Sequence, residues 1–158
     1  MIARYVSSVF ITEDSTWVAE WAWGLLLTVL TVLIHTFGLW MVRQTALRAI
    51  SHSVLRRHRM AMSLTIISCV TLSAAALHGI EAALWALVYR FLNALPDYRA
   101  ATLYSLNAIT SYGHANLQLE DRWHLMGAME ALNGWLLFGL STAFLFAVIQ
   151  RLSSLDDK

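Results

Sequence analysis

The sequence predicts an all-α integral membrane protein: three transmembrane helices, with a short re-entrant helix and loop between the second and third. Hydrophobic residues make up 58% of the 158-residue chain and charged residues 13%, where a soluble domain averages about 45–50% and about 25%. Three apolar stretches each exceed the ~20 residues that a bilayer crossing requires. They are continuous rather than alternating, which excludes a transmembrane barrel. Cys69 is the single cysteine, so neither a disulfide framework nor a cysteine metal cluster forms within one chain. A formal net charge of +1 gives no ground for nucleic acid as a partner.

In chain order, residues 1–16 form an external segment too short to fold alone. Transmembrane helix 1 covers 17–42, from Trp17 to Val42. Acidic Glu13, Asp14 and Glu20 precede an apolar run too long for a cleaved secretory signal, so this helix is retained. Residues 43–59 carry Arg43, Arg48, Arg56, Arg57 and Arg59 with no acidic residue, which makes this linker cytoplasmic by the positive-inside rule. Within it, Ala46, Leu47, Ile50, Val54 and Leu55 share one helical face. That stretch either lies along the inner membrane surface or extends the second span. Transmembrane helix 2 covers 60–90 and transmembrane helix 3 covers 125–150, followed by a cytoplasmic tail at 151–158. The N-terminus then lies outside and the C-terminus inside. The external linker balances Arg90, Arg99 and Arg122 against Asp97, Glu120 and Asp121.

That linker is more than a loop. Pro96–Asp97 is a helix start, with proline early and a carboxylate at the positive end. From Asp97 to about Ala108 no Gly or Pro interrupts, and Leu103, Tyr104 and Leu106 fall at helical spacing. A helix of this length is too short to span and suited to re-enter. A polar stretch around one glycine follows it, Thr110 to Asn116. Non-helical backbone at membrane depth survives only when shielded by protein or lining a water-filled path.

At these residues the chain resembles the pore module of potassium-channel-like ion channels. Aligned without gaps, the family's Thr-Thr-Val-Gly-Tyr-Gly-Asp meets Thr110, Ser111, Tyr112, Gly113, His114, Ala115 and Asn116. Tyr104-Ser105 stands where the family's pore helix carries an aromatic followed by serine. Gly134 and Gly139 match the two glycines of its inner, pore-lining helix. The stretches flanking the loop also resemble a small bacterial subgroup, and the likeness runs from Leu77 to Leu152. The resemblance implies a pore helix and filter loop at 97–117 and a homotetramer with one quarter of the pore per chain. It also implies passive conduction in the inner membrane of a bacterial cell, with lipid as the other partner. The permeant species would be a monovalent cation, potassium in the family, held by backbone carbonyls of Thr110, Ser111, Tyr112 and Gly113. No enzymatic activity and no cofactor are expected.

Gly113-His114-Ala115 replaces the family's Gly-Tyr-Gly. An L-residue in a left-handed conformation costs about 1–2 kcal/mol, so Ala115 predicts a rearranged, less selective outer filter. Asn116 removes the family's acidic charge at the mouth, and His114 is either a proton sensor or a ring packed behind the filter. Thr110 and Ser111 line the inner filter or simply cap the helix. Asn107, Glu81, Glu130 and Asn133 are read as filter support, with Asn107 a partner for Glu130 and Asn133, and Glu81 paired with His78 three residues before it. Gly134 and Gly139 serve either as an inner-helix hinge or as close helix contacts. Phe144, Phe146 and Val148 offer an apolar constriction. Two other functions compete: a non-conducting pore-loop relative acting as a membrane sensor or assembly partner, and a membrane cytochrome with His35 and His78 as axial ligands.

Overall fold

The computed structural model of the chain describes residues 2–52, 59–113 and 117–156, with side chains placed within 16–48, 60–113 and 117–154. It contains the helices α1 (Ile2–His52), α2 (Arg59–Phe91), α3 (Tyr98–Ile109) and α4 (His124–Asp156). A 3-10 turn at Asp121–Trp123 leads into α4. There is no strand among the described residues. Three stretches are long and apolar enough to cross a membrane: Thr16–Arg48, Met60–Phe91 and Asp121–Ser154. The all-helical, three-span class of the sequence reading is therefore present. Helix α3 has 12 residues. At about 1.5 Å per residue it reaches ~18 Å, well short of a hydrocarbon core of ~30 Å.

Helix α1 runs past the expected 17–42 span at both ends. Between Val42 and His52 there is neither Gly nor Pro, so the helical hydrogen-bond ladder has nothing to break it. The stretch from Thr45 to His52 is thus part of α1, rather than a separate surface helix or an extension of the second span. Residues 53–58, the rest of the basic linker, lie outside the described residues.

The chain forms two compact units, Met1–Thr31 with Ala82–Trp135 and Val32–Glu81 with Leu136–Lys158. In the first, Trp85, Tyr89 and Met126 are fully buried and pack with Leu27, Tyr104 and Leu119. The rings of Tyr89 and Tyr104 meet edge to face at 5.4 Å, the arrangement favoured by aromatic quadrupoles. Glu20, itself buried, accepts a hydrogen bond from the Leu125 amide at 2.8 Å. Its carboxylate so meets the positive end of α4.

In the second unit, Ala46, Ile66, Val70, Val148 and Leu152 make the core, with Phe144 packed on it. Phe146 is exposed. Residues 144 and 148 share a helical face while 146 points elsewhere, so these three side chains do not form one constriction. Gly38 lies under Leu77, whose methyl groups occupy the space a Cβ would take.

Candidate functional site

Helix α3 is set by its ends and by one buried face. Its N-cap is Asp97, whose side chain accepts from the Ala100 amide at 2.8 Å. The chain arrives there from a tight reversal after α2. Asn93 adopts φ 54°, the Asn93 amide bonds the Arg90 carbonyl, and the Ala94 amide bonds the Tyr89 carbonyl. This is a Schellman motif, with asparagine supplying the left-handed residue. The Arg90 guanidinium donates to the Leu95 carbonyl at 2.7 Å and fixes the turn.

The buried face of α3 is Ala101, Tyr104, Ser105, Ala108 and Ile109. Ser105 Oγ lies 2.6 Å from the Ala82 carbonyl and is also hydrogen-bonded to Glu130 Oε1. The Tyr89 hydroxyl donates to Glu130 Oε2 at 2.7 Å. Ser105 and Glu130 are both wholly buried. A serine has one proton to give, and here two oxygens face it. The count closes when Glu130 is the neutral acid, donating to Ser105, which then donates to Ala82. Buried polar groups need such complete pairing, because an unmet donor or acceptor costs about 1–3 kcal/mol.

Two glycines of α4 let α3 come close. A Cβ at Gly127 would strike the Tyr104 hydroxyl, and one at Gly134 would strike the carbonyl and Cα of Ile109. Gly134 is therefore a close-contact glycine, as small residues at membrane helix contacts usually are. Gly139 meets nothing within 4 Å. Helix α4 is continuous through both.

The expected partnership of Asn107 with Glu130 and Asn133 is replaced by other pairings. Glu130 bonds Ser105 and Tyr89, and Asn133 donates to Thr31 Oγ1 at 2.8 Å. Positions 105 and 107 are ~200° apart around a helix, so Asn107 turns away when Ser105 turns in. Asn107 acts through its carbonyl instead.

That carbonyl accepts from the Tyr112 amide at 2.9 Å while the Ser111 amide bonds the Ala108 carbonyl at 2.9 Å. A second Schellman motif thus closes α3. Its left-handed residue is Ser111 at φ 54°, a conformation that costs an L-residue about 1–2 kcal/mol. Trp135 Nε1 donates to Ser111 Oγ at 2.8 Å and helps to hold it. Thr110 caps as well, its hydroxyl bonding the Leu106 carbonyl. Thr110, Ser111 and Tyr112 form a helix C-cap here. Among the described residues no hydrogen bond reaches the carbonyls of Thr110, Ser111 or Tyr112. Gly113 follows at φ 96°, a region where glycine alone is at ease. His114, Ala115 and Asn116 lie outside the described residues. The negative end of the α3 dipole lies at the Thr110 cap, which favours a cation near it.

The second unit holds a different polar cluster. Glu81 is wholly buried; its Oε1 is 2.8 Å from Nδ1 of buried His35, and its Oε2 is 3.5 Å from His78 Nδ1. The pairing of Glu81 with His78 is present but is the longer of the two. His35 is the partner that spacing within one helix could not supply. The signal for it was an ionisable residue in another span, since such groups pair inside a membrane. Ser141 Oγ is 2.9 Å from His35 Nε2 and 3.3 Å from His78 Nε2. The two rings, 5.0 Å apart between centroids, leave no room for a porphyrin between them, so they are not opposed haem ligands. His35, His78 and Glu81 do place one donor atom each within 4.8 Å of one another.

Comparison of the chain with protein-family models, with curated proteins and with solved structures returned no match.

Proposed function

We propose that four copies of this chain assemble around a central axis into a passive, potassium-channel-like cation channel of a bacterial inner membrane. The observation that carries the reading is α3: a helix too short to span, anchored by Ser105 on Glu130 and by Ile109 on Gly134, whose cap carbonyls at Thr110, Ser111 and Tyr112 accept no hydrogen bond among the described residues. Charge–dipole attraction at that end and carbonyl ligation are the two means by which a backbone loop stabilises a dehydrated cation. One chain supplies one such loop, so a closed ring of carbonyls requires several chains.

Exposed apolar side chains support assembly and lipid contact. On α4, Leu132, Trp135, Phe138 and Phe146 are all 60% exposed or more, a density that water does not tolerate and that lipid or another copy covers. Residues 43–59 face the cytoplasm and the α2–α4 connection faces outward. The Gly113-His114-Ala115 sequence relaxes selectivity between potassium and sodium.

The test is reconstitution of purified protein in liposomes, with flux and reversal potential measured in opposed potassium and sodium gradients. The expected result is a tetramer by native mass, cation flux, and a reversal potential between those of a strict potassium pore and an unselective one. A monomer, or a tetramer silent across pH, overturns it. A tetramer that conducts only after Ala115→Gly identifies the non-conducting relative instead.

A further inference from the structure

Four groups of the second unit close a ring: Glu81, His35, Ser141 and His78. The contacts in order are 2.8 Å from Glu81 Oε1 to His35 Nδ1, 2.9 Å from His35 Nε2 to Ser141 Oγ, 3.3 Å from Ser141 Oγ to His78 Nε2, and 3.5 Å from His78 Nδ1 to Glu81 Oε2. That last oxygen is buried and has no hydrogen-bond partner. The two neutral imidazoles and the serine bring three protons, which serve the three contacts of 3.3 Å or less. The fourth contact, at 3.5 Å, is no hydrogen bond: with the protons so placed, the lone pair of His78 Nδ1 faces a carboxylate oxygen, and the negative charge inside an apolar span is one that a cation neutralises.

We propose that His35, His78 and Glu81 bind a divalent transition-metal ion of the zinc type. Both Nδ1 atoms face the carboxylate, and the donor atoms lie within 4.8 Å of one another. Zinc bonds of about 2.0–2.2 Å in a tetrahedron set donors about 3.3–3.6 Å apart, so the His35–Glu81 pair opens from 2.8 Å while wider separations close, changes that side-chain rotation supplies. Two imidazoles and one carboxylate are a donor set suited to zinc, with a fourth position left for water. Metal at the Nδ1 atoms moves both ring protons to Nε2. Ser141 Oγ, with two lone pairs, then accepts from both rings. Both ring N–H groups then have an acceptor, and Ser141 becomes the outer partner that ligating histidines commonly have. His78, whose side chain is 24% exposed, gives the ion a way in. The site stands apart from the conduction reading and does not depend on it.

The experiment uses the full chain, purified without a polyhistidine tag into lipid nanodiscs, stripped with chelator and titrated with Co2+ and then Zn2+. The expected result is one ion per chain, visible absorption with the intensity of four-coordinate cobalt, and its loss on adding zinc. Glu81→Gln and His35→Gln abolish that spectrum, and Ser141→Ala weakens zinc by about 10–100-fold. Helicity and elution volume check each variant; should a ligand variant misfold, the wild-type spectrum and Ser141→Ala decide. A six-coordinate, water-like cobalt spectrum in the wild-type protein overturns the proposal. So does binding unchanged in folded His35→Gln, which would place the ion on other histidines, and so does a cluster that takes up only a proton.

Discussion

Glu130 illustrates how a single side chain can be read from proton counting. Its two oxygens are taken by Ser105 and Tyr89, and Ser105 also faces the Ala82 carbonyl. If Glu130 is the neutral acid, glutamine replaces it with little loss: the amide NH2 donates to Ser105 and the amide oxygen accepts from Tyr89. Alanine leaves buried hydroxyls unmet at about 1–3 kcal/mol each. Thermal unfolding in detergent should therefore show Glu130→Gln close to the wild type and Glu130→Ala clearly lower. Equal losses in both would mean that the charge itself is needed. Sequence reading singled out Glu130 as a costly intramembrane acid near the loop. It did not find Ser105 as its partner, because a pairing 25 residues apart leaves no local pattern.

At the scale of elements, α3 was legible almost to the residue. Pro96–Asp97 marked its start, and the structure puts Asp97 at the N-cap with helix from Tyr98. Capping is local chemistry, readable from neighbouring letters. How α3 is held against α4 was not legible, since Gly134 and Gly139 look alike in sequence and differ only in what stands opposite. Gly134→Ala drives a Cβ into the Ile109 backbone, which cannot rotate away as a side chain can. Overpacking of this kind costs about 1–3 kcal/mol, and hydrogen exchange of the α3 amides should speed up accordingly. Gly139→Ala meets open space and gains helix propensity of up to ~1 kcal/mol; its fold should be unchanged or firmer. A Gly134→Ala protein with α3 as protected as in the wild type would contradict this packing. At Thr110 and Ser111 the chain adopts a helix C-cap, with Trp135 steadying the left-handed serine; whether the same residues also line a filter is what the flux measurement decides.

For the molecule as a whole, the proposed orientation rests on the distribution of arginine. With Cys69 replaced by serine, a cysteine at Gln118 should react in intact cells with a membrane-impermeant maleimide, and one at Arg151 should react only after permeabilisation. The reverse pattern would invert the proposed topology. The membrane class itself follows from composition: three helices are long and apolar enough to cross a membrane, and only 13% of residues are charged. The sequence alone determined this much, along with the short capped helix between the last two spans, because hydropathy, charge bias and capping act between near neighbours. Only the tertiary structure decided which buried polar groups meet. His35 reaches Glu81 across 46 residues and Ser141 across 106. Such pairs form because a polar group withdrawn from water must find a partner, and which partner lies within reach is settled by helix packing.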